Sequence, residues 1–286
     1  MITLSPECYP CFFRQADTAA RAGGASESDR REIAGRVAGI LAGRTGPEIP
    51  AGIATDLHEA VREALGSDDP FREVKEREFR RFQEIARLAE SIVASCADPV
   101  AAAVGMAVFG NIMDSGIVDP EAMEEEIRRL RGEDGFREIP DGLREGIRRA
   151  RTVGILLDNA GEAAFDVPLL SRLGREERRL WIGVKGGPVI DDLTGEEAVR
   201  IGLSAYGEIV PNGNRAVGTD LALCTREFRE RLGRSDLILS KGQANFETLH
   251  GRLRNAFFLF RCKCPVVSRA LGRPEGDLVV LGEDGA

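Results

Sequence analysis

The sequence predicts an α/β protein: a mostly parallel, Rossmann-like sheet with helices on both faces, giving a three-layer α/β/α sandwich, preceded by an all-helical N-terminal domain. Three observations lead there. Short apolar runs alternate with helix-like segments through the second half, the pattern of right-handed βαβ units. Runs such as Val153–Leu157 and Leu180–Val184 carry no charge and suit strands buried on both faces. No strand signal of weight precedes residue 150, which divides the chain into a helical domain, 1–147, and an α/β domain, 148–286.

In chain order, Ser5-Pro6-Glu7-Cys8-Tyr9-Pro10-Cys11 opens the protein and a helix is expected from Phe12 to Ala22. Residues 28–44 and 55–65 have amphipathic spacing, the second with Thr55 or Asp56 as its cap. Asp69-Pro70-Phe71 marks a turn before a long charged helix from Arg72 to about Ser95. Asp98-Pro99 starts another, whose small apolar residues Ala101–Phe109 predict burial on most sides. A further helix is expected over Asp119–Arg131.

Beyond residue 150 the expected order is strand 153–157, helix 163–173, strand 180–184, helix 195–202 and strand 208–210. Then come helix 221–232, strand 236–240, a helix from Phe246, strand 255–260 and a closing strand 278–281.

The formal charge of −8 argues against nonspecific nucleic-acid binding, which needs clustered cations. No stretch reaches the roughly 20 apolar residues of a membrane span, and the N-terminus lacks a signal-peptide pattern; a cytoplasmic protein is expected. Of the 39 basic residues only four are lysine: Lys75, Lys185, Lys241 and Lys263. A compact ammonium on a flexible stem does what guanidinium cannot, so these four positions stand out against the alternative of chance in an arginine-rich chain. Six cysteines without a secretory context point to reduced thiols. With only His58 and His250, a histidine-rich metal site or a Ser-His-Asp triad is not expected.

Chemistry in open α/β sheets collects at the carboxyl ends of strands. The first strand ends in Asp158-Asn159-Ala160-Gly161-Glu162, and the second in Lys185-Gly186-Gly187-Pro188 with Asp191, Asp192 and Thr194 just beyond. Asp158, Asn159 and Asp192 are hard oxygen donors, suited to Mg²⁺ or Mn²⁺ more than to zinc; the competing role for each Asp is helix capping. Lys241-Gly242-Gln243-Ala244-Asn245 follows a strand and precedes a helix, a candidate oxyanion or phosphate site, although the P-loop pattern is missing. Cys8 and Cys11 with Cys262 and Cys264 could form a four-thiolate zinc site or a redox pair. The short C-terminal spacing and the intervening Lys263 argue for reduced cysteines packed near one another.

Taken together, Cys8-Tyr9-Pro10-Cys11, Asp69-Pro70-Phe71, Gly110-Asn111-Ile112-Met113-Asp114, Asp158 to Glu162, Asp192-Leu193-Thr194, Ser240 to Glu247 and Lys263-Cys264 resemble the damage-control phosphatases. The N-terminal cysteine pair resembles the subgroup common in archaea and other microbes. The resemblance implies a helical domain packed on the sandwich and one divalent cation, Mg²⁺, Mn²⁺, Co²⁺ or Ni²⁺, held by Asp158, Asn159 and Asp192. It implies hydrolysis of small phosphorylated metabolites, sugar phosphates or damaged cofactor derivatives. On that basis Asp158 is expected as ligand and base, with a nucleophilic role as the alternative. Lys241 and Lys263 are expected to neutralise phosphoryl oxygens, and Asn111, Asp114, Glu162, Lys185, Gly242 and Asn245 to contact substrate. Ala244, where many relatives carry Gly, is a mild departure. Two rivals remain: a carboxyl methyltransferase, for which the glycine-rich nucleotide loop is missing, and a non-catalytic metal or redox module built on the cysteines.

Overall fold

The computed structural model describes residues 2–110, 139–174 and 177–283. Among them every element before residue 150 is a helix. Helices α1 (Cys8–Ala22), α2 (Glu27–Ala42) and α3 (Pro50–Leu65) pack around Phe12, Ala16, Ile33, Val37, Leu57 and Val61. A capping box between Ser26 and Asp29 starts α2, satisfying two amides that the first turn would leave bare. Helix α3 begins five residues earlier than expected, at Pro50, whose fixed φ and missing N–H suit a first helical position. Thr55 is therefore not a cap but a residue of the helix; its hydroxyl donates to the Ala51 carbonyl at 3.0 Å and accepts from the Val217 N–H at 2.9 Å. Helix α4 spans Arg72–Ala94 and α5 spans Pro99–Gly110. Asp98 caps α5, accepting from the amides of Val100 and Ala101 at 3.1 and 3.0 Å. The helix expected over 119–131 lies outside the described residues.

Helix α6 (Asp141–Arg149) leads into the sheet. The strands are β1 (Thr152–Leu156), β2 (Arg179–Val184), β3 (Glu208–Pro211), β4 (Leu237–Lys241), β5 (Ala256–Arg261) and β6 (Leu278–Gly282), in the order β3-β2-β1-β4-β5-β6. All neighbours are parallel except β5 and β6, which run antiparallel. Helices α7 (Ala163–Leu173), α8 (Gly195–Arg200), α9 (Arg226–Arg234), α10 (Gln243–Leu249) and α11 (Pro265–Leu271) fill the connections. Helix α9 starts later than expected, because Thr225 caps it through the Phe228 amide at 3.2 Å. The chain steps outward from β1 to β3 and then returns to place β4 on the other side of β1. The β1/β4 junction is thus the topological switch point, where doubly wound sheets bind their ligands.

Strand alternation sorts the core. Val153, Ile155 and Leu157 face α4, α5, α6 and α7, whereas Leu156 faces the layer of α9, α10 and α11 together with Trp181, Phe228, Phe246 and Phe258. Gly154 and Gly183 make room on that second face: a Cβ on Gly154 would stand 2.6 Å from the Trp181 ring, and one on Gly183 2.6 Å from Leu156. Packing across the expected boundary at 147 is continuous, since Phe82, Ala89, Met106 and Phe109 of α4 and α5 share one core with β1, β2, β4 and α7. The remaining helices, α1 to α3, share theirs with Val189 and Val217 from the loops after β2 and β3. They form a cap over the carboxyl ends of the strands.

Candidate active site

Two loops meet at the end of β1. The Leu193 N–H donates to the Asp158 carbonyl at 2.9 Å, the Ala160 N–H donates to the Asp191 carbonyl at 2.8 Å, and Asn159 and Asp192 form an antiparallel bridge. Asp158, Asn159 and Asp192, distant along the chain, are thereby held side by side. The turn that delivers Asp192 is strained: Ile190 has φ of 47°, a left-handed conformation that a β-branched residue adopts at a cost of about 1–3 kcal/mol. The Asp192 N–H closes that turn on the Val189 carbonyl at 3.1 Å. From β4, Gly242 (φ 83°) presses against Asp158; a Cβ there would fall 2.0 Å from Oδ2. The switch point thus brings the first, second and fourth strand ends together.

Asp158 and Asp192 are both buried. Burial, then the Asp192 and Glu162 charges, raise the Asp158 carboxyl well above the usual range, against the pull of Lys263 and Lys185. Burial raises Asp192 too, opposed first by Lys185. The Lys185 ammonium lies 3.1 Å from Asp192 Oδ2 and donates to the carbonyls of Ala216, at 2.9 Å, and Gly218. Beneath it, the Lys241 ammonium sits 3.0 Å from Glu162 and 2.8 Å from Asp166. Desolvation works against the Lys241 charge, but Asp166 and Glu162 outweigh it and raise its pKa.

A cavity of about 490 Å³ lies between these strand ends and the cap. Asp158, Asn159, Asp191 and Asp192 line its floor, with Gln243, Ala244 and Glu247 from α10 and Lys263 and Cys264 from the loop after β5. Helix α1 contributes Cys8, Cys11, Phe12, Arg14, Gln15 and Thr18; α3 contributes Ala51, Ala54 and His58. All six cysteines are free thiols. Cys8, Cys11 and Cys264 line the same cavity, whereas Cys262 is fully buried and does not.

The expected site residues therefore separate. Asp158, Asn159, Asp192 and Lys263 line the cavity. Lys241, Glu162, Lys185, Gly242 and Asn245 are not among its lining residues, and each has partners within the protein. Lys241 and Glu162 satisfy each other below the floor, and Lys185 serves Asp192. The Asn245 side chain accepts from Thr219 Oγ1 at 2.7 Å and donates to the Lys241 carbonyl at 2.8 Å. The Gly242 N–H donates to the Leu259 carbonyl at 3.0 Å, so it is not an anion donor. Asn111 and Asp114 lie outside the described residues. Sequence reasoning missed His58 and Arg14, which reach the cavity from cap helices whose placement no local pattern encodes.

Among the described residues no group of three or more His, Cys, Asp or Glu side chains is gathered to hold a metal ion. The set that fits a hard cation here mixes two carboxylates with the Asn159 amide. Burial disfavours both ionised carboxylates and the Asp192 charge raises Asp158 further, an imbalance that a dication would relieve.

A family model of the damage-control phosphatase ARMT1-like domain matches residues 4–279. The chain is 33% identical over 281 residues to a protein named damage-control phosphatase from Pyrococcus horikoshii, covering 96% of each. It is 36% identical over 240 residues to one of the same name from Archaeoglobus fulgidus, covering 81% of this chain and 82% of the relative. The crystal structure of a DUF89 family protein from Pyrococcus horikoshii superposes with a TM-score of 0.89 at 31% identity, over 99% of this chain and 100% of the other.

Proposed function

The chain belongs to the family of damage-control phosphatases with an ARMT1-like domain, and from that membership we propose that it is a divalent-metal-dependent phosphomonoesterase acting on small phosphorylated metabolites in metabolite repair. The observation that carries this reading is the meeting of Asp158, Asn159 and Asp192 at the β1/β4 switch point, on the floor of a cavity open to a small molecule. Sugar phosphates and damaged phosphometabolites are the proposed substrates.

Asp158, Asn159 and Asp192 would hold one cation of the set Mg²⁺, Mn²⁺, Co²⁺ and Ni²⁺ through their side-chain oxygens. When bound, the cation supplies Lewis-acid polarisation of the phosphoryl group and a template for in-line attack. The chain's own residues do the rest. Asp158 would accept a proton from the attacking water as the water oxygen bonds to phosphorus and the bond to the leaving oxygen breaks, and a proton from solvent would complete the free alcohol, leaving inorganic phosphate. Lys263, exposed on the cavity wall and already felt electrostatically by Asp158, neutralises phosphoryl oxygens. Lys185 fixes the orientation of Asp192, and the Lys241 cluster keeps the floor rigid beneath Gly242 and Asp158. The cap helices α1 and α3 exclude bulk water from one side.

A screen of phosphorylated metabolites against the four cations tests the reading. Hydrolysis should vanish with a chelator and return with metal. Asp192→Ala should lower turnover by about 100- to 1,000-fold with an unchanged fold by circular dichroism, and full turnover in that variant overturns the assignment.

A further inference from the structure

Of the seven arginines in the cap, residues 2–65, six have a carboxylate partner: Arg21 and Arg30 with Asp17, Arg31 with Glu27, Arg36 with Glu32, Arg44 with Glu48 and Asp56, and Arg62 with Glu59. Arg14 is the exception. Its guanidinium has neither a hydrogen bond nor an ion pair among the described residues, and it is the one of the seven that lines the large cavity. The acids that could have taken it are engaged elsewhere. Asp17, one turn on at i+3, lies 2.8 Å from Arg21 and 2.6 Å from Arg30, and Glu7, which lines the same cavity, lies 2.9 Å from Arg269. Thr18, at i+4 from Arg14, also lines the cavity and adds a hydroxyl to this stretch of α1.

We propose that Arg14 forms a second anion subsite, its guanidinium pairing with a carboxylate or phosphate at the far end of a phosphomonoester whose scissile phosphoryl group lies at Asp158 and Asp192. The inference rests on the phosphatase reading of the site and deepens it: the substrate class is an ester with two anionic ends. Arg14 and Lys263 are the two lysine or arginine side chains lining the cavity among the described residues. Lys263 comes from the body, beside Asp158 and Asp192, and serves the phosphoryl group; Arg14 comes from the cap, on the other side of the cavity, and is left for a charge elsewhere on the same molecule. About 490 Å³ is far more room than a phosphate ion fills and falls in the range that takes whole metabolites. Carboxylate and phosphate both present paired oxygens that match the guanidinium fork. A long side chain tied to nothing in the protein can turn to meet either. The rival role is steering alone, since an unpaired cation at a rim raises the encounter rate of every anion with a chain of formal charge −8.

The test compares Arg14→Gln and Arg14→Lys with the parent protein on two matched pairs of esters. 6-Phosphogluconate against glucose 6-phosphate tests a carboxylate, and fructose 1,6-bisphosphate against fructose 6-phosphate tests a second phosphate. On at least one pair, Arg14→Gln should lower kcat/KM for the doubly anionic ester by about fivefold, mainly through KM, and at least about threefold more than for its partner. Arg14→Lys keeps the charge without the fork and should recover part of that loss. The pair that responds identifies the second anion as carboxylate or phosphate, and a response on both assigns the subsite to either. An equal loss on both members of each pair leaves steering alone and overturns the proposal, as does no loss on any ester. A parent protein that turns over the singly anionic esters but neither doubly anionic one also overturns it. So does a lower melting temperature in both variants with unaltered selectivity, which would make Arg14 structural. If the parent hydrolyses none of the four esters with any of the four cations, the phosphatase reading itself fails and the subsite with it.

Discussion

Three of the four lysines are buried against carboxylates: Lys75 lies 2.8 Å from both Asp69 and Glu197, Lys185 pairs with Asp192, and Lys241 with Glu162 and Asp166. A compact ammonium fits these spaces, where a planar guanidinium would bring five donors to satisfy. Their scarcity in an arginine-rich sequence marked them, but it did not show which way they point. Lys263 alone of the four lines the cavity. The same limit applies to Gly242, expected as an anion donor and found instead as the surface on which Asp158 rests. Gly242→Ala tests that placement. A methyl 2.0 Å from the present position of Oδ2 must displace the carboxylate, and φ of 83° adds about 1 kcal/mol of strain. Turnover should fall by about 100-fold while the melting temperature, followed by circular dichroism, drops by only a few degrees.

At the scale of elements, α10 and α3 meet through Glu247. Its carboxylate accepts from Gln243 Nε2 at 2.9 Å and from the Ala51 backbone amide in the first turn of α3, a helix with no side-chain cap of its own. The thiols of Cys8 and Cys264 are the other titratable groups facing it. Burial pushes the Glu247 pKa up to about 7 despite those hydrogen bonds. The folded protein then keeps a proton that the unfolded chain has released between pH 4.5 and about 7, so stability falls as pH rises through that window. Glu247→Gln should abolish this slope and be more stable than the parent at pH 8 by about 1–2 kcal/mol, measured by urea unfolding at pH 5, 6, 7 and 8. None of this joint was legible in the sequence, since it depends on a helix starting at Pro50 rather than 55. The strands were legible because burial on both faces leaves unbroken apolar runs such as Val153–Leu157. The antiparallel direction of β6 was not, because its short run reads alike either way. Asp158, Asn159 and Asp192 could be nominated because strand ends converge in this architecture; His58 could not, because nothing local relates residue 58 to residue 158.

At the scale of the whole molecule, the helical first half is two different things. Helices α4 and α5 are one outer layer of the sandwich: Phe109 packs edge-on against Phe165 with ring centroids 5.8 Å apart, and a Cβ on Gly110 would stand 2.9 Å from Phe165 Cβ. Helices α1 to α3 are the cap, joined to the body by Thr55 at Val217 and Glu247 at Ala51, while Lys75 of α4 pairs with Asp69 in the connection from α3 and with Glu197. Glu197 also closes the capping box with Thr194, two residues after Asp192, so the Lys75 cluster links α4 and the connection from α3 to the loop that carries a proposed metal ligand. A boundary at 147 would strip the sheet of the face covered by α4 and α5 and expose an apolar patch far larger than monomers tolerate. The full chain should therefore unfold in one calorimetric transition, with van't Hoff and calorimetric enthalpies in agreement, and residues 148–286 expressed alone should aggregate or melt without cooperativity. Two resolved transitions in the full chain, or a fragment that melts sharply by itself, would show instead that the sheet carries a core independent of α4 and α5.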